Sequence, residues 1–258
     1  MVWKLKQIGK EIPRLNNPLL IEGLPGIGNV GKVAVDFMID ELKAKKIYQL
    51  TSYSLPHSVF VAENNLVELP LIELYYKKGS GNKRDLLFLA GDIQPIDETS
   101  CYEFCYTVLD MLRQFGGNEI ITIGGIGLPT VPDKPRVYCT GNTRSVVEKY
   151  KKGIKVNDKL YGVVGPIVGV TGLLTGLASE RNMNAVCLLA ETYGHPLYLG
   201  MKGSQEILKI LDKKLGLKLN LKALNKEIRE VEEEIIKRTD QLTKGAPGTK
   251  GNEVSYIG

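Results

Sequence analysis

Near its amino-terminal end the chain contains the sequence Leu19-Leu20-Ile21-Glu22-Gly23-Leu24-Pro25-Gly26-Ile27-Gly28-Asn29-Val30-Gly31-Lys32. The apolar run that opens this stretch is typical of a buried strand. After the glycines, apolar side chains recur at helical spacing, at Val30, Val33, Phe37, Met38 and Leu42. A strand that leads directly into an amphipathic helix is half of a β–α–β unit, so this stretch predicts an α/β fold.

The same alternation of strand and helix continues along the chain. Short runs rich in Ile, Leu and Val predict further buried strands at Ile47–Ser54, Asp85–Gly91, Glu119–Gly124 and Ala185–Ala190. A second helical stripe is formed by Cys101, Phe104, Cys105, Val108, Leu112 and Phe115. Strands that are apolar on both faces are typical of a parallel sheet covered by helices on both sides. We therefore expect a three-layer αβα domain with a mostly parallel sheet over residues 1–216.

Three segments depart from this pattern. Residues 57–76 predict two or three strands with turns at Asn64-Asn65 and around Pro70, which form an antiparallel hairpin insertion of the kind that often makes interfaces. Residues 217–242 predict a C-terminal helix with a narrow apolar stripe, packed either on a partner surface or, equally, on its own domain. Residues 243–258 predict a flexible tail, since the part up to residue 253 is rich in Gly and Pro.

Composition excludes several classes of protein. The chain has 258 residues, of which 43% are hydrophobic and 24% charged, so it is not disordered throughout, collagen-like or a disulfide scaffold. The net charge of +5 is scattered, without the basic stripe and interleaved aromatics of a nucleic-acid binder. The longest apolar run, Val163–Ala178, is shorter than a membrane span, and Met1–Lys10 holds three Lys and no apolar core of a signal peptide. We expect a soluble cytoplasmic protein that binds neither membranes nor nucleic acid.

The glycine loop that joins the first strand to the first helix resembles two nucleotide-binding patterns. It matches GxGxxG and nearly matches the phosphate loop, but Val33 stands where that loop needs a Mg²⁺-binding hydroxyl. The next predicted strand also carries no acidic residue to hold a ribose. We interpret Gly26, Gly28, Asn29 and Gly31 as a structural loop that permits a close crossing of strand and helix. The helix N-terminus could still attract an anion.

Three carboxylates follow predicted strands, at Glu22, Asp92 and Glu191, where the carboxyl edge of an open sheet binds ligands. Glu191 and His195 share one loop and could form an acid/base pair. Against catalysis, the sequence has no GxSxG, no HExxH and no plausible Cys–His pair, and its four Cys and two His show no zinc-site spacing. We predict no catalytic residue, cofactor or metal. An enzyme or nucleotide binder that uses Gly26–Lys32, Asp92 and Glu191 is the alternative.

Five motifs in order resemble the proteasome assembly chaperone 2 family in its archaeal-type form, over about residues 18–215. They are Gly26-Ile27-Gly28-Asn29-Val30-Gly31, then Gly91-Asp92-Ile93-Gln94-Pro95, then Gly124-Gly125-Ile126-Gly127 with Pro135-Arg136-Val137, then Gly169-Val170-Thr171-Gly172-Leu173-Leu174, and Leu189-Ala190-Glu191-Thr192-Tyr193-Gly194. The resemblance implies an αβα domain similar in outline to nucleoside phosphorylases. It also implies a homo-oligomer that is not an enzyme and that binds the α subunits or α ring of the 20S proteasome.

The resemblance also directs attention to the C-terminal end. Some family members dock through a C-terminal tripeptide of a hydrophobic residue, Tyr and any residue. Here Tyr256 is third from the end and is preceded by Ser255, so the pattern is not met. We expect a looser apolar contact with the partner through Val254, Tyr256 and Ile257. The alternative is that this tip packs on its own or a neighbouring subunit.

Overall fold

The computed structural model describes residues 3–9, 11–62, 65–81, 83–157, 160, 165–195, 198–222, 224 and 226. Within them, Met1–Leu219 belongs to one compact unit, which contains the whole sheet. Of the second unit, Asn220–Gly258, residues 221, 222, 224 and 226 are helical. Most of the predicted C-terminal helix and the whole predicted tail, including Val254, Tyr256 and Ile257, lie outside the described residues.

Strands and helices alternate along the described part of the first unit. The strands are β1 (Lys4–Gln7), β2 (Leu19–Gly23), β3 (Lys45–Thr51), β4 (Phe60–Val61), β5 (Val67–Glu68), β6 (Ile72–Lys77), β7 (Leu86–Gly91), β8 (Glu119–Leu128), β9 (Val137–Gly141) and β10 (Asn184–Tyr193). The helices are α1 (Val30–Glu41), α2 (Glu98–Gln114), α3 (Arg144–Lys151), α4 (Val170–Leu177) and α5 (Met201–Leu215). Two short 3₁₀ turns, Ile27–Asn29 and Ala178–Arg181, adjoin α1 and α4.

Eight of these strands form one sheet in the order β1-β3-β6-β7-β2-β8-β10-β9. The four central strands, β7, β2, β8 and β10, are parallel, whereas β9 on one side and β6, β3 and β1 on the other pair in antiparallel fashion. The predicted α/β class is therefore confirmed, with the parallel strands in the buried centre. β2 has the predicted bounds, while β8 and β10 extend beyond theirs to Leu128 and Tyr193.

Helices cover both faces of the sheet. Gly23 of β2 faces α1, where a Cβ atom would meet Val35, and α1 in turn packs against α5. Leu20, three residues earlier in the same strand, faces the opposite side and joins a core cluster with residues of α2 and α4. This alternation explains why the strands are apolar on both faces.

Local sequence signals place the start and the end of α2. Asp97 caps its first turn by accepting a hydrogen bond from the backbone N–H of Ser100 at 2.9 Å. Gly116 follows the helix with a φ of 75°, a left-handed conformation that glycine adopts without strain. The buried stripe of α2 contains Cys101, Phe104, Cys105, Val108 and Leu112, as the spacing predicted.

The predicted hairpin insertion is divided between two sheets. β4 and β5 form a separate two-stranded ribbon, with Phe60 opposite Glu68 and Val61 opposite Val67. The third strand of the segment, β6, joins the main sheet beside β7. Of the predicted turn Asn64-Asn65, Asn64 lies outside the described residues, and Asn65 has a left-handed φ of 59°.

Candidate functional site

The glycine loop presses the start of α1 against the sheet. Gly28 and Asn29 have left-handed φ angles of 61° and 50°. A Cβ atom on Gly28 would lie 2.5 Å from the hydroxyl of Thr192, and one on Gly31 would lie 2.5 Å from the carbonyl oxygen of Ile123. Gly26 is different, since its backbone is extended and the space around it is open. This geometry supports the structural interpretation of the loop at Gly28 and Gly31.

Lys32 is the lysine of the pattern that resembles a phosphate loop. Its side chain is held by other residues of the protein. Its Nζ donates to the carbonyl oxygen of Gly91 at 3.1 Å and forms ion pairs with Asp36 at 3.0 Å and Asp92 at 3.5 Å. Asp92 also accepts a hydrogen bond from the backbone N–H of Leu71 at 3.1 Å. Lys32 and Asp92 therefore tie α1 to the end of β7, which leaves the lysine engaged with carboxylates.

Glu191, which could form an acid/base pair with His195 by its place in the sequence, is a buried carboxylate that pairs with the largely exposed Arg136. Its carboxylate accepts hydrogen bonds from the backbone N–H of Arg136 at 2.9 Å, from Nε of Arg136 at 2.7 Å and from the hydroxyl of Tyr138 at 3.2 Å. Burial alone would raise the pKa of Glu191, but the hydrogen bonds and charge of Arg136 lower it below its ordinary value. A carboxylate held ionised in this way is a poor general acid at neutral pH.

The ring of His195 stacks on Tyr193, with centroids 5.6 Å apart and planes 16° from parallel. The end of β10 therefore directs Glu191 towards Arg136, just before β9, and Tyr138 within it, while the imidazole lies on a tyrosine. This arrangement does not support the acid/base pair that the sequence left open.

Glu22 is the most deeply buried carboxyl group at this edge of the sheet. One of its oxygens accepts from the backbone N–H of Leu24 at 2.9 Å, and the other accepts from the hydroxyl of Thr171 at 3.3 Å. Removal from water raises the pKa of Glu22 to about 7, because the two hydrogen bonds do not offset the loss of hydration. Glu22 is therefore the carboxyl group whose charge changes near neutral pH.

A cavity of about 490 Å³ lies at the carboxyl edge of the sheet, between the glycine loop and the start of α4. Most of its lining is glycine and aliphatic residues, with Gln94 and Thr171 as polar side chains. The amide nitrogen of Gln94 donates to the carbonyl oxygen of Pro25 at 2.6 Å, and its oxygen accepts from the backbone N–H of Val170 at 3.0 Å. Both polar side chains are thus used within the protein. In the described residues, no group of three or more His, Cys, Asp and Glu gathers as metal ligands.

The β4–β5 ribbon forms an apolar surface of another kind. The aliphatic and aromatic residues in and next to its strands are 46–72% exposed, namely Val59, Phe60, Val61, Leu66, Val67 and Leu69. All four residues of the two strands are exposed, so neither face of the ribbon is buried by the part of the chain that the structure describes. Contiguous apolar surface of this kind marks an interaction site more often than an isolated exposed side chain does. We call these six residues the hairpin surface.

Comparison with known proteins identifies the family of this chain. The model of the PAC2 family matches residues 20–238. The chain belongs to the PAC2 family. The resemblance of its five motifs is thereby confirmed, since all of them lie within the matched residues.

The PAC2 fold appears in two similar structures from Pyrococcus furiosus. PbaB, described as an archaeal proteasome activator, is 35% identical and superimposes with a TM-score of 0.82, over 92% of this chain and 98% of PbaB. PbaA, described as an archaeal homolog of proteasome-assembly chaperone, is 24% identical with a TM-score of 0.74, over 93% and 94% of the two chains. An uncharacterized protein of Methanocaldococcus jannaschii is 28% identical over 255 residues, which are 96% of this chain and 95% of the relative.

In this PAC2 protein the structure brings together only some of the residues singled out in the sequence. Gly28, Gly31 and Thr192 meet at the glycine loop, and Asp92 joins Lys32. Glu191 turns instead to Arg136, a pairing that no local pattern announces because the two residues are far apart in the chain. Among the described residues, no helix of the PAC2 chain combines the length and the apolar character that a membrane span requires.

Proposed function

We propose that this PAC2 protein is a proteasome assembly chaperone that forms homo-oligomers and binds α subunits of the 20S proteasome in the cytoplasm. The observation that carries the proposal is its 35% identity, over 92% of the chain, with PbaB, an archaeal proteasome activator. Likeness that covers both chains almost completely favours a shared kind of partner over a shared fold alone. We further propose that it acts by binding and not by catalysis, without a cofactor.

The hairpin surface supports the self-association part of the proposal. A two-stranded ribbon is marginal in water unless a third strand or another surface covers it. Here both faces of β4 and β5 are exposed, and their apolar side chains include Phe60, Val61 and Val67. We propose that a second copy of the chain covers this surface in the oligomer.

The predicted tail supplies the contact with the proteasome. Residues 243–253 are rich in Gly and Pro and lead to the apolar residues Val254, Tyr256 and Ile257. A tethered apolar tip loses conformational entropy when it binds, so each single contact is weak. Several tips on one oligomer raise the effective concentration and so the avidity. We propose that the folded body sets the symmetry while the tail contacts the α subunits.

One set of variants tests both parts. The oligomeric state is measured by sedimentation, and binding is measured with purified 20S α subunits from the same source organism. We expect Phe60→Ser with Val67→Ser to lower the oligomeric state, whereas Ile12→Ser, at an exposed apolar residue outside the hairpin surface, leaves it unchanged. We expect deletion of residues 254–258 to keep the oligomer and abolish α-subunit binding. A full-length protein that is monomeric, or that fails to bind α subunits, contradicts the proposal.

A further inference from the structure

A second cavity, of about 380 Å³, lies at the opposite edge of the sheet from the glycine loop. It adjoins the amino ends of three parallel strands, because its lining includes Leu19, Leu86 and Glu119, the first residues of β2, β7 and β8. Leu42, which follows α1, adds to its apolar wall. Its volume lies in the range of small-molecule sites, and it shares no lining residue with the carboxyl-edge cavity.

The lining of this amino-edge cavity is strongly basic. Six of its side chains are cationic, Lys77, Lys78, Lys83, Arg84, Lys149 and Lys214, and Glu119 is its one carboxylate. Glu119 accepts from Arg84 at 2.6 Å, from Lys149 at 2.7 Å and from the hydroxyl of Tyr150 at 2.7 Å. One negative charge is therefore shared by two cations, and four more cations line the same space.

Two of the remaining lysines are bound to backbone oxygens at helix ends. Lys83 donates to the carbonyl oxygen of Gly216 after α5, and Lys214 donates to those of Lys149 and Lys152 at the end of α3. These acceptors carry only partial charges. Burial, and after it repulsion by Lys149 and Lys152, lowers the pKa of Lys214.

Lys77 and Lys78 form no ion pair with any described residue. They open a loop that continues Gly79-Ser80-Gly81 and returns through Lys83 and Arg84. Asp85 holds this loop in place, because its carboxylate accepts from the backbone N–H groups of Gly79 and Asn16, both at 2.7 Å. Asp85 is not among the lining residues, so it fixes the loop from outside the cavity.

We propose that the amino-edge cavity binds a small phosphate-bearing molecule, with Lys77, Lys78 and Ser80 holding the phosphate and the partly exposed Leu42, Leu215 and Leu217 contacting its apolar part. Lysine ammonium groups and a serine hydroxyl are suitable donors for phosphate oxygens. The presence of both cationic and leucine side chains in one lining fits a phosphorylated organic compound better than a bare inorganic ion. The small volume excludes a nucleic-acid duplex from the cavity itself.

Calorimetric titration of the full-length protein with inorganic pyrophosphate and with ADP, both without Mg²⁺, tests this proposal. We expect one site per chain. Lys77→Ala with Lys78→Ala should raise the dissociation constant by about tenfold or more, because two charge-assisted contacts are lost. The matched control is Lys4→Ala with Lys6→Ala on β1, which removes the same charge from another edge of the sheet and should change binding less than about twofold. Ser80→Asp should abolish binding by repulsion.

The outcomes distinguish a nucleotide from a phosphate group alone. They also distinguish the amino-edge cavity from other binding sites. Tighter binding of ADP than of pyrophosphate points to a nucleotide, and equal binding points to the phosphate alone. Equal weakening by the Lys77/Lys78 and Lys4/Lys6 pairs would show diffuse attraction, and loss of binding in Lys32→Ala would place the anion at the glycine loop. Either result, or no binding in wild-type protein, overturns the proposal. Circular dichroism of each variant confirms that it is folded.

Discussion

Glu22 lies wholly buried beside Thr171, with the threonine hydroxyl 3.3 Å from the carboxylate oxygen that it contacts. The pair joins β2 to α4 beneath the carboxyl-edge cavity, which Thr171 helps to line. Since burial raises the pKa of Glu22 to about 7, the folded protein keeps this proton at a pH where the unfolded chain has already lost it.

The first prediction concerns stability and pH. A carboxyl group with a raised pKa contributes stability that is full below its unfolded pKa and is lost as the pH rises through the folded one. The variant Glu22→Gln keeps an acceptor for Leu24. As the pH rises from about 5 to about 8, we expect its free energy of unfolding to increase by about 2–3 kcal/mol relative to that of wild type. Urea unfolding at several pH values measures the difference. The exposed Glu68→Gln serves as the control, and a flat difference for Glu22→Gln contradicts the burial argument.

The second prediction tests the glycine loop by adding one carbon. In Gly31→Ala the new Cβ would lie 2.5 Å from the carbonyl oxygen of Ile123, so helix or strand must shift. We expect a loss of about 1–3 kcal/mol in the free energy of unfolding, which is typical of overpacking. Gly26→Ala is the matched variant, because that glycine is extended and has open space around it. Equal losses in the two variants would show that the close crossing is not what Gly31 provides.

The third prediction concerns the ion pair between Arg136 and Glu191. Arg136→Ala leaves the buried carboxylate with fewer donors and should lower the free energy of unfolding near neutral pH, by less than the loss of a fully buried pair would, because Arg136 is largely exposed. Glu191 has a lowered pKa, so the stability that it contributes is present above its unfolded pKa and is lost as the pH falls. The cost of Arg136→Ala should therefore shrink in acid. In a double-mutant cycle, Glu191→Gln should recover part of the loss, and strict additivity would contradict the pairing.

The fourth prediction is that the glycine loop does not bind Mg-ATP. Val33 replaces the hydroxyl that would hold Mg²⁺, and Lys32 is paired with Asp36 and Asp92. We expect any heat of Mg-ATP binding in a calorimetric titration to be the same for Lys32→Ala and wild type. Micromolar binding that disappears in Lys32→Ala would show that the loop is a nucleotide site.

Periodicity predicted α1, α2 and the centre of the sheet because those elements bury apolar residues in regular patterns, whereas α3 and α5 were not predicted. β2 has the predicted bounds, since its apolar run stops where its pairing stops. β1 escaped prediction because Lys4–Gln7 is an exposed edge strand with polar side chains. The second half of β8 escaped because Gly125 and Gly127 give no apolar signal although they pair with β10.

The candidate sites were harder to predict from the sequence than the fold was. Which cation joins Glu191 is decided by the antiparallel pairing of β9 with β10, and no local pattern reports that pairing. The charges of the amino-edge cavity come from four separate segments, of which only Lys77–Arg84 forms a cluster in the sequence. The hairpin was visible as turns and strands, but the exposure of both its faces depends on the absence of a covering element in the described part of the domain.

The central strand pairing also bears on how the chain acquires its structure. Leu19 in β2 lies opposite Glu119 in β8, so the middle of the sheet joins segments from distant parts of the chain. During synthesis β2 cannot gain this neighbour until residue 119 has left the ribosome, and β10 is added later still. Such non-local closure slows folding, because the entropy of a long loop is lost before the contacts that reward it are made. A nascent chain that ends before β8 would expose the unpaired side of β2, which makes this interval the one in which aggregation competes with folding.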